Sequence, residues 1–424
     1  MESVQPVTPP AGRPVPAAFL FRHRRFLLRA GVLFFLFFGL GYSLYLGDEL
    51  RYPDEGQYYR IAVHLAAGDG YTLDGVTPTA IRPPGYPLFL ALFVRLGAPI
   101  VVLRYLNFIM LALAPLLIRG ILRSEKAEQG AGLSAVLLVF YAVLFYTAGT
   151  LYPQILVSLL LLLLLRLAVA ARFTWLHAIG FGLLSGAMVL VHPTTIFLPP
   201  LVMIWMILPN QWHILRKGIV SALVAAACLL AWSWRNYTVF HYFVPVSTHG
   251  CDTFYMGNNP ETGQKPWYES VHDDVYRQAL LLPEAEQNRY FMRRVLTFWK
   301  QQPAAALRLY LEKLVGYFNF RNDFYVASEF GFLQAAVMFL TYYPLLLCLL
   351  FRLLAVRHYP LTRLEILLAS IYLASALFHA LFLPRIRFRL PYDVILIIHI
   401  GLMLTRVADN RAPVTVSPAG DRQQ

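Results

Sequence analysis

Charge is what this sequence has least of. Asp, Glu, Lys and Arg make up 14% of its 424 residues, where soluble domains carry about a quarter. Acids are scarcer than bases, 23 against 36. Cysteine is nearly absent: Cys228, Cys251 and Cys348 have no metal-ligand spacing and two of them sit in apolar runs, which excludes a disulfide scaffold and a zinc site. What fills the chain is 58% hydrophobic residues, 15% of the total being aromatic, with a mean hydropathy of +0.55. Such a chain is an integral membrane protein. The net charge of +13 would suggest nucleic acid in a soluble protein, but here the basic residues cluster at the ends of apolar segments, where they set orientation, so no nucleic-acid partner is expected.

Apolar runs recur from Phe26 to Val407, which predicts an all-α, polytopic transmembrane bundle of about ten helices and no separate soluble domain. After a tail expected to be disordered (1–25), "RHRR" precedes a first span that is too long for a signal-peptide core and lacks a cleavage site, so it reads as a signal anchor. Further spans are expected near 100–120, 131–148, 152–171, 174–191, 194–208, 217–234, 331–351, 364–383 and 391–408, within a membrane domain of 26–408 and before a second tail, 409–424. The basic segments 119–126, 215–217 and 351–363 then share one side with both termini. The positive-inside rule makes that side cytoplasmic. Two long segments, 47–98 and 235–330, fall outside. Tyr58, Ile61, Ala62 and Leu65 in the first, and Leu307, Leu311, Leu314 and Phe318 in the second, have helical spacing, which predicts interfacial helices.

The residues fit for chemistry lie in those outer segments. In "RYPDEGQYYR", Asp54 follows Pro53 at the start of the first interfacial helix; it suits an N-cap with Gln57 at the third position, and equally a general base beside Glu55 for an incoming hydroxyl. Arg82, before two prolines that hold the backbone extended, is presented to clamp a phosphate or to reach lipid headgroups. Arg235 and Asn236 stand at a helix end, and the turn "GNNP" offers Asn258 and Asn259. In "LPRIRFRLPYD", Arg385, Arg387 and Arg389 run against the positive-inside tendency; an extended loop would put all three on one face, facing an anionic partner or anchoring on headgroups. Tyr58, Tyr59 and Tyr71 can line a sugar site or belong to the interfacial aromatic belt. His192 and His379 read as helix-end hydrogen-bond partners, having no second ligand at i+3 or i+4. The acids of "DELRYPDE" (48–55) can hold a divalent cation, although no cofactor is required.

Taken in order, "PDEGQYYRIAVHLAAGDGYTLDG", "RPPGYPLFLALF", "LYPQILVSLLLLLLL", "WRNYTVFHYFVPVSTHG" with "MGNNP", and "RFRLPYD" resemble the GT-C class of polytopic glycosyltransferases, near the bacterial 4-amino-arabinose lipid A transferases and the protein O-mannosyltransferases. The likeness runs from about 47 to 400. It implies a catalytic Asp in the first outer loop, which falls on Asp54 with Glu55 beside it, and a basic residue before Pro-Pro that contacts the donor phosphate, which falls on Arg82. The loop where the family often carries another acid has Gln154 here. The resemblance further implies a sugar donor on a polyprenyl phosphate, a lipid, glycan or protein acceptor, an inverting displacement on the outer face of a bacterial plasma membrane, and thus a hexosyl- or pentosyltransferase.

A transporter or flippase for a lipid-linked anion would share the many helices and outer arginines. It would usually place ionisable residues near mid-bilayer and repeat its two halves, and neither is seen in the sequence. A glycan polymerase is also polytopic with a large outer loop, and the first-loop motifs argue against it.

Overall fold

The computed structural model describes residues 15–208, 212–262, 274–321, 331–357 and 359–409, and these residues are helical apart from turns, loops and one isolated bridge between Thr72 and Pro78. In chain order the helices are α1 (Val15–Arg22), α2 (Arg24–Leu46), α3 (Pro53–Ala67), α4 (Gly85–Val94), α5 (Ile100–Ser124), α6 (Ala131–Phe140), α7 (Ala142–Ala148), α8 (Gln154–Ala168) and α9 (Trp175–Val191). They continue as α10 (Leu198–Ile207), α11 (His213–Phe240), α12 (Gly250–Met256), α13 (Asp274–Leu280), α14 (Glu284–Gln301), α15 (Pro303–Tyr317), α16 (Phe332–Leu354), α17 (Arg363–His379) and α18 (Ile386–Asp409). The expected all-α membrane bundle is present.

Each of the ten expected spans has a helix at its position, but their lengths differ. Five (α2, α5, α11, α16 and α18) are long and apolar enough to cross a bilayer alone, and α6 with α7 makes a sixth if the pair, bent by 64°, counts as one span. The bend falls at Tyr141, whose ψ of 76° leaves the helical region. The pair near 174–208 is shorter than ordinary spans for a local reason. His192 breaks the helix, Pro193 opens a 3-10 turn, and α10 keeps only 10 residues, about 15 Å of rise. At the N-terminus, α1 starts at Val15, so the chain is helical well inside the tail expected to be disordered; residues 1–14 and 410–424 lie outside the described residues.

Four helices give the bundle two chemically different ends. At its start, α5 is tied to the end of α2: buried Arg104 donates to the Gly47 and Glu49 carbonyls, and Asp48 accepts from the Val101 N–H at 2.9 Å. Its 25 residues rise about 37 Å to the basic segment 119–126. Helices α11 and α17 run the opposite way, from Lys217 and Arg363 toward Arg235 and His379, and α18 runs from Arg387 to Arg406. The far end is sealed by the buried pair Arg352–Glu365 (2.8 Å), which Arg406 joins at 3.3 Å. The near end carries α3, α4, α12 and the loops around them.

The interfacial helices are only partly as expected. Helix α3 buries Tyr58, Ile61 and Ala62 as its periodicity predicts. On α15 only the second half of the expected stripe packs: Leu314 and Phe318 lie against the core beside buried Leu309, Lys313 and Tyr317, while Leu307 and Leu311 are exposed. Two glycines permit close approaches near this end. A Cβ on Gly85 would fall 2.7 Å from the Val191 backbone nitrogen, and one on Gly257 would fall 2.6 Å from the Phe382 carbonyl carbon.

Candidate functional site

The first turn of α3 divides its two acids between different tasks. Tyr52 precedes the helix in an extended conformation and Pro53 takes the first helical position, where a missing N–H costs nothing. Glu55 then reaches back to accept from the N–H groups of Arg51 (2.8 Å) and Tyr52 (3.1 Å). Its other oxygen accepts from the Leu151 N–H at 2.8 Å, so this buried carboxylate caps α3 and staples it to the approach to α8. Capping therefore falls to Glu55, not to Asp54, and Glu55 is not part of the lining of the chamber. Asp54, one residue and about 100° earlier on the helix, is left to face inward.

Asp54 is held between two guanidinium groups. Arg82 Nη2 bonds to its Oδ1, and Arg387 Nη1 lies 2.8 Å from its Oδ2. Burial opposes the charge on Asp54, yet Arg387 and then Arg82 overcome it and hold the carboxyl well below the usual carboxylate range. Arg82 is itself fixed: its Nε donates to Gln57 Oε1 at 2.7 Å, and its guanidinium lies 5.1 Å from the centre of the Tyr58 ring. The Tyr71 hydroxyl donates to the Arg82 carbonyl at 2.8 Å, which secures the Arg-Pro-Pro backbone. Arg387 lies 4.9 Å from the centre of the Tyr152 ring, and its buried Nε has no partner among the described residues.

These groups open onto a cavity of about 390 Å³. Asp54, Tyr58 and Arg82 form one side, Tyr152 and Gln154 another, and Arg385 and Arg387 a third; His249 and Thr253 come from the second outer segment. The deeper wall is apolar, with Val189, Ile196, Phe378, Phe382 and Phe388. Gln154 is buried, and its Oε1 has no partner among the described residues. His192 and His379 line the cavity as hydrogen-bond partners, as the sequence suggests: both bond to Thr194 Oγ1, at 2.6 and 3.2 Å.

Several expected site residues do not reach the cavity, each for a visible reason. The segment 385–389 is not an extended loop but the entry to α18, where positions two apart point about 200° apart. Arg389 consequently turns into the bundle: its Nε pairs with Asp393 at 3.2 Å, and its Nη1 donates to the Tyr317 and Asn319 carbonyls at 2.8 and 2.6 Å. Arg235 braces the first outer loop through the Thr79 carbonyl at 2.9 Å and packs against the rings of Tyr71, Trp232 and Phe240. Tyr71 is spent on the Arg82 backbone, and Tyr59 packs against the core away from the cavity. Asn258 donates to the Phe254 and Leu381 carbonyls, while Asn259 closes its own turn by accepting from the N–H groups of Glu261 and Thr262. The acids of 48–55 do not converge either: Asp48, Asp54 and Glu55 face different partners, and no group of three metal-ligating side chains forms among the described residues.

Two residues that sequence reading passed over complete the geometry. Glu284 accepts from Thr79 Oγ1 and the Ala80 N–H, both at 2.9 Å, and from Thr248 Oγ1 at 2.5 Å, which clamps the first outer loop to the second. His249 follows Thr248 directly and lies 2.7 Å from Asp252. Its only sequence signal is "THGCD", an imidazole three residues before a carboxylate.

Fold and site together define a multi-pass membrane protein with a charged chamber at one end of its bundle, polar at the mouth and apolar toward the helices. Residues 81–234 match the family model of the dolichyl-phosphate-mannose-protein mannosyltransferases, a GT-C membrane glycosyltransferase family. The match covers little more than a third of the chain and marks a similarity to membrane glycosyltransferases whose donor is a polyprenyl-phosphate sugar. No curated protein and no solved structure matches the chain.

Proposed function

We propose that the chamber transfers a sugar from a polyprenyl phosphate to a hydroxyl acceptor at the outer face of the membrane, with inversion at the anomeric carbon. The observation that carries this reading is the Arg82–Asp54–Arg387 arrangement above an apolar cavity wall. A lipid-linked phosphate has the matching form, an anion on an apolar tail. Its tail would enter between the helices beside Phe378, Phe382 and Phe388, and its phosphate would come to rest at the depth of Arg385 and Arg387. Guanidinium groups in a partly dry site stabilise the charge that gathers on the departing phosphate. Tyr58, Tyr152 and Gln154 are placed to meet sugar hydroxyls, the unpaired Gln154 oxygen as an acceptor.

Asp54 remains ionised in this scheme. It orders the two arginines before the donor arrives and lies against the positive charge that develops at the anomeric carbon as the phosphate leaves. The charges at the two ends of the bundle support the outer face: the basic segments 119–126, 215–217 and 351–363 lie opposite the chamber, and the positive-inside tendency favours a cytoplasmic side for them. Mass spectrometry of lipid-linked sugars and envelope glycans, with and without the gene, tests the reading. A donor that accumulates beside an acceptor one sugar short supports it and names both substrates; unchanged pools of both contradict it.

A further inference from the structure

The basic end of the bundle holds a second cavity, about 690 Å³, that sugar transfer does not use. It lies opposite the chamber, where α5, α8 and α10 end and α11 and α17 begin. Its cations are Arg172 from the link between α8 and α9, Lys217 near the start of α11, and Arg363 at the start of α17. We propose that this cavity binds the phosphate headgroup of an anionic phospholipid from the leaflet at that end. The proposal is independent of the transferase reading and involves no residue of the chamber.

The charge in this cavity is left unbalanced by the protein. Among the described residues no carboxylate pairs with Arg172, Lys217 or Arg363, whereas Arg352 and Arg406 at the same end share Glu365. Glu125 is the one acid among the described lining residues, and burial raises the pKa of its carboxyl. Two of the cations are held by neutral groups that fix their position without cancelling their charge. Lys217 Nζ donates to the Phe173 carbonyl. Arg363 Nη2 donates to the Trp205 carbonyl at 2.8 Å, the Trp205 indole N–H returns to the Arg363 carbonyl at 2.8 Å, and the guanidinium lies 4.9 Å from the centre of that ring. The Arg172 side chain is exposed and bonds to no described residue. Basic pockets between membrane helices are suited to anionic headgroups, because an acyl tail holds the anion beside them.

Depth decides between a lipid and a soluble phosphate. Helix α8 runs from Gln154, in the chamber wall, to Ala168, in the wall of this cavity. Its 15 residues rise about 22 Å, and the 17 residues of α9, which returns from Trp175 to Val191, rise about 25 Å. The hydrocarbon core of a bilayer is about 30 Å thick. With the chamber at one boundary, the cavity cannot stand clear in water beyond the other. It lies where a bilayer thins around short spans and brings its headgroups inward. Exposed Trp175 and Trp212 stand beside it, as aromatic residues do at a headgroup boundary.

The test uses the full chain purified in detergent, mixed with phosphatidylglycerol and phosphatidylcholine, and native mass spectrometry to count the lipids it retains. The wild type is expected to retain phosphatidylglycerol in preference to phosphatidylcholine. Arg172→Gln and Lys217→Gln should each weaken that retention about fivefold. Arg25→Gln, which removes an exposed basic residue at the start of α2 and outside the cavity lining, should leave it unchanged. Lys217 also supports a backbone carbonyl, so Arg172→Gln, whose side chain bonds to no described residue, decides the matter if Lys217→Gln does not fold. Equal retention of the two lipids by the wild type would overturn the proposal, and so would undiminished retention in Arg172→Gln or an equal loss in Arg25→Gln. Displacement of phosphatidylglycerol by added inorganic phosphate would assign the cavity to a soluble anion and overturn the lipid as its occupant.

Discussion

Arg387 holds Asp54 at 2.8 Å, and this ion pair joins the start of the last membrane helix to the first helix outside the membrane. The two residues are far apart in the chain, and Arg82 completes the same carboxylate from a third element. The site therefore exists only when α3, the first outer loop and α18 are all in place.

Arg82 and Arg387 should differ from Arg389 in what their loss does. On the proposed reading Arg387→Ala or Arg82→Ala removes a phosphate partner, so the apparent donor KM should rise at least tenfold with little change in thermal unfolding. Arg82→Lys should not rescue, because an ammonium loses the Gln57 contact and the stacking on Tyr58. Arg389→Ala strands Asp393 in the bundle, a change worth about 3–5 kcal/mol. Its first symptom should be a lower unfolding temperature in detergent, and an unchanged temperature would contradict the structural role.

How far the sequence discloses this site depends on the range of each relationship. Hydropathy locates the helices because bilayer crossing needs long apolar runs, and motif order finds Asp54 and Arg82. The division of labour between Asp54 and Glu55, and between Arg387 and Arg389, was not legible, since it turns on which way a helix faces at neighbouring positions. Glu284 lies in an amphipathic helix with nothing local to mark it, and its partners Thr79 and Ala80 are some 200 residues away. His249 sits in a loop with no periodicity at all.

Glu284 is a strut between the outer loops, so removing it should loosen the chamber and leave the bundle intact. Glu284→Ala should reduce transfer by about tenfold or more and speed proteolysis within 71–82, because the Ala80 N–H and two threonine hydroxyls lose their acceptor. Proteolysis at the wild-type rate would show that the clamp does not hold that loop.

Lys313 should make stability depend on alkaline pH. It is fully buried, and among the described residues its ammonium bonds to the Gly257 carbonyl (2.6 Å) and Asn258 Oδ1 (3.1 Å), so desolvation pushes its pKa down to about 7. An unfolded lysine titrates near 10.4, so between these values the unfolded state binds the extra proton and stability should rise with pH. Below about pH 7 the cost of burying the charge is fully present. Lys313→Met should flatten the unfolding temperature across this window, and an identical slope in the variant would remove Lys313 as the cause.

The central claim is that an ionised Asp54 between two arginines serves sugar transfer from a lipid phosphate. Purified wild type and Asp54→Asn, each reconstituted in vesicles with radiolabelled polyprenyl-phosphate mannose and acceptor membranes, put it to the test directly. The account predicts a folded variant whose transfer rate falls by about 10² to 10³. Transfer by Asp54→Asn at the wild-type rate would contradict it.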